Sequence, residues 1–480
     1  MLFNSLDYLV FLPAVVCLYF CCPQRLRWAL LLGASYLFYA AWRVEYLVLI
    51  ITSTLVDYGA GLAMGRSETR RPRRKWLWLS LAVNLGLLFV FKYANFASES
   101  ARVVSERLGL WIDFPTLQVL LPVGISFYTF QTLSYSIDVY RGDREPERHL
   151  GRFAVYVAFF PQLVAGPIER SLRLLPQFGE RHSFDWSRLK GGLWLILWGF
   201  FKKLVVADQA GLYVDAVYAD PDAHGGLAQL AASYLFAFQL YCDFSGYSDI
   251  AIGSAQMLGF RLMENFRRPY VAQTVQDFWR RWHVSLSTWF RDYVYVPLGG
   301  SRGTTARWAV AIAVVFLASG LWHGANWTFV VWGALHAVYV FCGAATANSR
   351  KRFTARLPAA VARCLPFCRA AFVFHLWVFS LIFFRSPSLA DALNYLQGIV
   401  ADGGWSLAVL LAGFSPVEWC AIAVAPLVLT ALELWQGDRG WLPFTASRTF
   451  AVRLAFGVGL FFVILLLGPM DSQQFIYFQF

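Results

Sequence analysis

Residues 308–340, WAVAIAVVFLASGLWHGANWTFVVWGALHAVYV, hold no Lys, Arg, Asp or Glu, yet they carry two histidines, His323 and His336. The hydrocarbon core of a bilayer is about 30 Å thick and a helix rises about 1.5 Å per residue, so about 20 apolar residues cross it. The stretch reads as two spans, 309–322 and 327–342. An ionisable group at that depth is costly, about 2.5–3.5 kcal/mol for a charged side chain on insertion scales, which marks it as functional by default. Imidazole is also the side chain best suited to moving protons near neutral pH. The hexapeptide Ser319-Gly320-Leu321-Trp322-His323-Gly324 is therefore what the rest of the chain has to explain.

The whole composition agrees with membrane burial. At 58% hydrophobic and 15% charged over 480 residues, with repeated apolar runs, an ordinary soluble domain is excluded. The runs are continuous rather than alternating, which favours α-helical spans over an outer-membrane barrel. No Lys or Arg lies among the first seven residues and no small-x-small cleavage site follows, so the first run, 6–22, is expected to be a retained helix. The cysteines form no Cys-x-x-Cys and sit in apolar context, so neither a metal site nor a disulfide framework is expected.

The net charge of +12 is spread between apolar runs rather than gathered on one soluble face, which argues against nucleic acid and for the positive-inside rule. Arg66, Arg70, Arg71, Arg73, Arg74 and Lys75 form one cluster; Arg350, Lys351, Arg352 and Arg356 form another. Both are expected on the cytoplasmic side. With spans at 6–22, 28–42 and 46–64, Arg25 and Arg27 fall on that side too, and the N-terminus lies outside. Further spans are expected at 76–91, 119–140, 153–164, 191–201, 227–241, 370–384, 417–434 and 451–467. Several are too short to cross alone.

Other segments do not read as ordinary spans. Phe160 to Ile168 packs two prolines and a glycine into an apolar stretch, which breaks a helix and frees backbone groups that need partners. Segments 121–128 and 293–300 carry similar breaks. Segment 239–249 brings Asp243 and Asp249 to membrane depth, a cost expected to be met by Arg280, Arg281 or a file of water. In 276–293, Trp279, Trp282, Leu286, Trp289 and Tyr293 recur at helical spacing while Arg281, Ser285, Thr288 and Asp292 share another face. With three Arg, two Asp and a His it does not cross lipid; an amphipathic helix lying in the interface or lining a cavity is the physical reading.

Four of these motifs together resemble the membrane-bound O-acyltransferase family in its bacterial polysaccharide branch: the Trp-Arg-His run at 279–291, Leu-Trp-His-Gly-Ala-Asn at 321–326, Phe-Pro-x-Leu-x-Ala-Gly-Pro at 160–167, and the Tyr-Phe-Gln-Phe end. The resemblance covers nearly the whole chain. It implies an all-α polytopic membrane protein of the inner membrane, a ring of helices around a thin centre with re-entrant helices and a cytoplasmic funnel. The family's invariant histidine falls on His323 and its second histidine on His283. The chain is expected to form a single membrane domain, with N-terminal spans in 1–114, a catalytic core in 115–345, and C-terminal spans with an aromatic tail in 346–480. A periplasmic acetyltransferase or esterase-like partner is implied, because residues 1–480 show no soluble catalytic domain for the last step.

The chemistry of the residues agrees with that resemblance. Moving an acetyl group from a thioester to a hydroxyl needs a base for the hydroxyl proton and donors for the tetrahedral oxyanion. His323 suits the base, since burial keeps imidazole neutral; His283 suits orientation, donor access or proton relay, or a structural role. Trp322, Asn326 and the backbone N–H groups at Gly320 and Gly324 are candidates for the oxyanion or its support. Arg280, Arg281 and Arg291 suit the phosphates of acetyl-coenzyme A or the acidic surface of an acyl carrier protein, and equally suit pairing with Asp243, Asp249, Asp277 or Asp292. His336 and His375 lack comparable motifs and read as structural. Tyr477 is either an interfacial anchor or an acceptor whose phenol takes up the acetyl group. Alginate, cellulose, another exopolysaccharide and peptidoglycan are not separable as the final polymer. A lipid-linked saccharide transporter would also use intramembrane carboxylates and broken helices, but it should show inverted repeats, of which the sequence gives no clear sign.

Overall fold

Proline, glycine and clustered charge end the apolar runs, and the computed structural model follows that punctuation. It describes residues 1–67, 69–110, 112, 114–164, 166–401, 413–437, 448–468 and 475–476, all helix or irregular chain with no strand among them. The chain folds as two compact units, Met1–Leu193 with Ile250–Met263, and Trp194–Asp249 with Glu264–Phe480. Among the described residues, six helices are long and apolar enough to cross a membrane.

The first unit begins with α1 (Leu6–Cys21), α2 (Arg27–Ala40), α3 (Leu47–Gly65), α4 (Arg70–Leu88) and α5 (Ala94–Arg107). It continues with α6 (Ile125–Arg141), α7 (Leu150–Ala158), the single turns α8 (Phe160–Leu163) and α9 (Ser171–Leu174), and the start of α10 (Trp186–Phe200). The expected break at 160–168 is present and begins at Phe159, two residues before Pro161. The freed Phe160 N–H donates to Ser35 Oγ at 3.1 Å, so the interruption costs no unmet donor there. Gly124, at φ +77, lets the start of α6 touch the end of α8: a Cβ there would lie 2.7 Å from Leu163 O.

Helices α3, α4 and α6 close around a polar knot rather than an apolar one. Asp57 on α3 is fully buried and accepts from Ser80 Oγ, from Asn84 Nδ2 at 2.9 Å and from Ser136 Oγ at 3.0 Å. Ser53 Oγ in turn donates to Asn84 Oδ1 at 2.6 Å. In a spanning segment with no hydrophobic driving force between helices, such bonds fix register.

The second unit completes α10, continues through the π-helical turn Phe201–Ala207 into α11 (Asp208–Ala219), and then turns into α12 (Gly226–Leu258). The apolar run expected to stop at residue 241 instead belongs to this 33-residue helix, which passes straight through Asp243 and Asp249 because both carboxylates find buried partners. Then come α13 (Val275–Arg281), α14 (Val284–Phe290), α15 (Thr305–His323), α16 (Trp327–Ala345), α17 (Ala347–Ala355), α18 (Ala359–Arg385), α19 (Leu389–Ala401), α20 (Pro416–Gln436) and α21 (Phe450–Leu467). Helices α15 and α16 meet at backbone contact. A Cβ on Gly320 would fall 2.2 Å from Phe329 O, and one on Gly333 2.3 Å from Phe316 O. This small-residue seam fixes where the end of α15, and therefore His323, sits.

Asp57→Ala removes the acceptor of three hydrogen bonds and is expected to cost about 2–3 kcal/mol, while Asp57→Asn costs about half as much. Thermal unfolding in detergent checks the order; equal melting of wild type and Asp57→Ala contradicts a role for the knot.

Candidate active site

The segment expected to be one helix over 276–293 is two helices of seven residues, because the chain turns sharply between them. Trp282 N–H still closes α13 on Phe278 O at 2.8 Å, but His283 adopts φ +42, ψ +54, a left-handed conformation unusual for a residue with a Cβ. The neighbouring strip 265–267 makes the turn affordable. Asn265 O accepts from Val284 N–H at 2.9 Å, and Asn265 Oδ1 accepts from the Ser285 N–H at 3.2 Å and its hydroxyl at 2.9 Å. Arg267 N–H donates to Arg281 O at 2.9 Å. Asn265 thus caps α14 from outside the helix, meeting donors that the missing preceding turn would have served. Amphipathic periodicity in 276–293 carried no trace of this break.

The turn points His283 into the interior, where it is 0% exposed. Its ring lies edge-on to Phe244 at 4.6 Å, parallel to Phe266 at 6.5 Å, and 5.6 Å from Trp322. His323 arrives from the end of α15, 3% exposed, with Trp322 at 5.0 Å, Trp332 at 5.1 Å and Phe384 at 5.3 Å around it. The two imidazoles stand 6.4 Å apart, centre to centre. Two residues 40 positions apart in sequence thus share one aromatic-walled chamber, His283 presented by a turn and His323 by a helix end. Gly324 permits this exit: a Cβ there would meet the Phe329 ring at 2.0 Å.

Other candidate residues lie around this pair in different roles. Trp322 forms part of the wall. The Asn326 carboxamide accepts from Thr328 N–H at 3.1 Å as the cap of α16 and donates one Nδ2 proton to Pro387 O at 2.7 Å, which supports the loop after His323. His336 is buried with Nε2 3.1 Å from Ser380 Oγ; because Ser380 gives its own proton to Trp377 O, the imidazole is the donor. Arg281, partly exposed, pairs with Asp277 at 2.9 Å within α13; Arg291, exposed, pairs with the adjacent Asp292 at 2.7 Å, and Arg280 is exposed. Tyr477 lies outside the described residues.

The arginines do not neutralise Asp243 and Asp249. Two lysines that sequence reasoning passed over do: Lys202 pairs with Asp249, and Lys203 lies 2.7 Å from both Asp208 and Asp243. The π-helical turn Phe201–Ala207 carries both of these consecutive lysines into the buried interior, an arrangement that a 3.6-residue period does not anticipate.

The profile described as MBOAT, membrane-bound O-acyltransferase family, matches residues 147–385, which include both histidines. The chain is 39% identical over 501 aligned positions to the probable alginate O-acetylase AlgI of Pseudomonas putida, covering 100% of each, and 41% identical over 432 to that of Azotobacter vinelandii, covering 89% of this chain and 83% of the relative. It is 34% identical over 400 to the peptidoglycan O-acetyltransferase of Helicobacter pylori, covering 78% and 74%.

Burial holds His283, which lies outside the six spanning helices, well below the usual imidazole range, at about 3. Its unfolded form takes a proton near the ordinary value of about 6.5. The folded state is therefore favoured above that value, and the advantage is lost as pH falls from about 6.5 toward 3, at up to about 1.4 kcal/mol per pH unit. Asn tolerates the left-handed turn, so His283→Asn is expected to fold and to melt with a shallower pH dependence than wild type between about pH 7 and pH 5. Parallel melting curves would show that His283 is not buried as described.

Proposed function

The chain belongs to the membrane-bound O-acyltransferase family as a multi-pass membrane protein, and from that premise we propose that it takes acetyl from a cytoplasmic thioester and passes it across the inner membrane for O-acetylation of an exported polysaccharide. The observation that carries this reading is the buried pair His283 and His323, 6.4 Å apart between aromatic walls.

His323 acts as the base. The acceptor hydroxyl attacks the thioester carbonyl carbon while His323 takes its proton; the tetrahedral intermediate collapses, the C–S bond breaks, and the imidazolium returns the proton to the leaving thiolate. The cycle begins with the neutral ring, which a general base requires, and returns to it at the end. His283 keeps the second imidazole within reach as relay or orienter. Trp322 offers the indole N–H toward the oxyanion, while the Gly324 amide is already committed to Gly320 O at 3.3 Å and the Gly320 amide lies inside the α15 ladder. The donor is acetyl-coenzyme A or an acyl carrier thioester, and Arg280, Arg281 and Arg291 form the basic surface that meets its phosphates, exchanging carboxylate partners for phosphate as it docks.

Tyr477 is proposed as the acceptor that leaves the chamber with the acetyl group. Phe475 and Ile476, which precede it, are buried in the same unit that holds both histidines. A periplasmic acetyltransferase or esterase-like partner then moves the group to the polymer. Alginate or a similar exopolysaccharide is the favoured polymer, since relatives covering most of this chain carry the alginate name; the Helicobacter pylori relative supports peptidoglycan as the second reading.

Purified protein in nanodiscs is expected to release free thiol from acetyl-coenzyme A, and His323→Ala to lower that rate by at least about 10²-fold at matched thermal stability, with His336→Ala retaining most of it. Normal turnover by His323→Ala sinks the assignment. Arg281→Ala is expected to raise KM for the donor more than it lowers kcat; an equal fall in both assigns it to structure or to the transition state instead.

A further inference from the structure

A buried cluster that the transfer chemistry does not use sits beside the chamber. Lys203 is 1% exposed, and Asp208 and Asp243 are 2% exposed each. The Lys203 ammonium lies 2.7 Å from one oxygen of each carboxylate. The three groups sum to one excess negative charge when both carboxylates are ionised, an expensive arrangement unless something else uses it. The other oxygen of Asp243 accepts the backbone N–H of Ile476 at 2.6 Å. Phe475, 0% exposed, packs against Tyr247 at 4.6 Å and Phe244 at 5.6 Å; Phe244 is the ring that lies edge-on to His283.

The route to this geometry is local. Asp243, Gly246 and Tyr247 lie on one face of α12, at i, i+3 and i+4. A Cβ on Gly246 would fall 2.7 Å from Gly199 O and 3.1 Å from Lys203 N, so the glycine brings α12 into backbone contact with the π-helical turn and lets Lys203 reach Asp243. The Lys203 ammonium also lies 5.8 Å from the centre of the Tyr247 ring on which Phe475 rests.

We infer that Asp243, held in place by Lys203, is a positioning residue that clamps the C-terminal segment at Ile476 against Phe244 and Tyr247, beside the ring of His283. The inference rests on the proposal that Tyr477 accepts the acetyl group, and it adds the anchor that the proposal needs. A peptide amide bound to a carboxylate is a charge-assisted hydrogen bond, stronger than a neutral one. Asp243→Asn leaves one oxygen where the carboxylate offers two, so it cannot serve both Ile476 and Lys203 and weakens the clamp, while Lys203 and Asp208 remain a balanced pair. Asp243→Ala removes the acceptor.

Hydrogen exchange of the C-terminal peptide in nanodiscs reads the clamp without any donor present. Asp243→Ala is expected to speed exchange at the Ile476 amide by about ten- to a hundredfold, and Asp243→Asn by less. In the acetyl-coenzyme A assay both variants are expected to lose acetylation of the C-terminal peptide, read by mass spectrometry, in the same order while KM for the donor stays unchanged. Unaltered protection of Ile476 in folded Asp243→Asn and Asp243→Ala overturns the clamp. Lost protection with acetylation intact overturns the positioning role, and leaves the His323 chemistry, tested separately by thiol release, where it stood. Where Asp243→Ala does not fold, Asp243→Asn decides alone.

Discussion

Ionised groups are costly where water is excluded, and the second unit resolves that cost in two ways within one fold. Where chemistry is proposed, the groups are imidazoles that can stay neutral, walled by Phe244, Trp322, Trp332 and Phe384. Where charge is kept, it is paired at contact distance, Lys202 with Asp249 and Lys203 with Asp208 and Asp243. The first unit follows a third course and spreads a single carboxylate, Asp57, over hydroxyl and amide donors.

Close backbone approach is the second constraint, and it places the first. His323 ends a helix whose neighbour is in contact at Gly320 and Gly333, so a side chain at either position would drive the helices apart. Gly246 does the same for α12 and the lysine-bearing turn. Packing of this kind is sensitive to single methyl groups, which makes these glycines part of the site although none of their atoms is proposed to take part in the chemistry.

Much of this was legible in the sequence. The run 308–340 resolves into α15 and α16 with His323 at their junction, as its composition and the Gly-Ala-Asn at 324–326 suggest, and the prolines at 161 and 167 mark a true interruption. The turn at His283 was not legible, because its cause is Asn265, a residue separated from it in sequence that shows no periodic signal. The partners of Asp243 and Asp249 are lysines, not the Arg280, Arg281 or water expected from a sequence in which the basic residues of 280–291 are the conspicuous ones. Lys202 and Lys203 follow the span expected to end at residue 201 and were passed over, because a 3.6-residue period does not show the π-helical turn that carries both inward. Asn326, a candidate for the oxyanion or its support by proximity in sequence, caps α16 and holds Pro387 O. Tertiary hydrogen bonding decided each of these, and local pattern carries little of it.

The central claim is that the chamber between His283 and His323 is where the acyl group changes hands. The most direct measurement is an electron cryomicroscopy map of the protein in nanodiscs with a thioether analogue of acetyl-coenzyme A that cannot be cleaved. The account predicts the acetyl carbonyl within about 3–4 Å of the His323 imidazole, or bridged to it by one water, with the phosphates against the Arg280 to Arg291 segment. An analogue bound with its carbonyl remote from both histidines would contradict it.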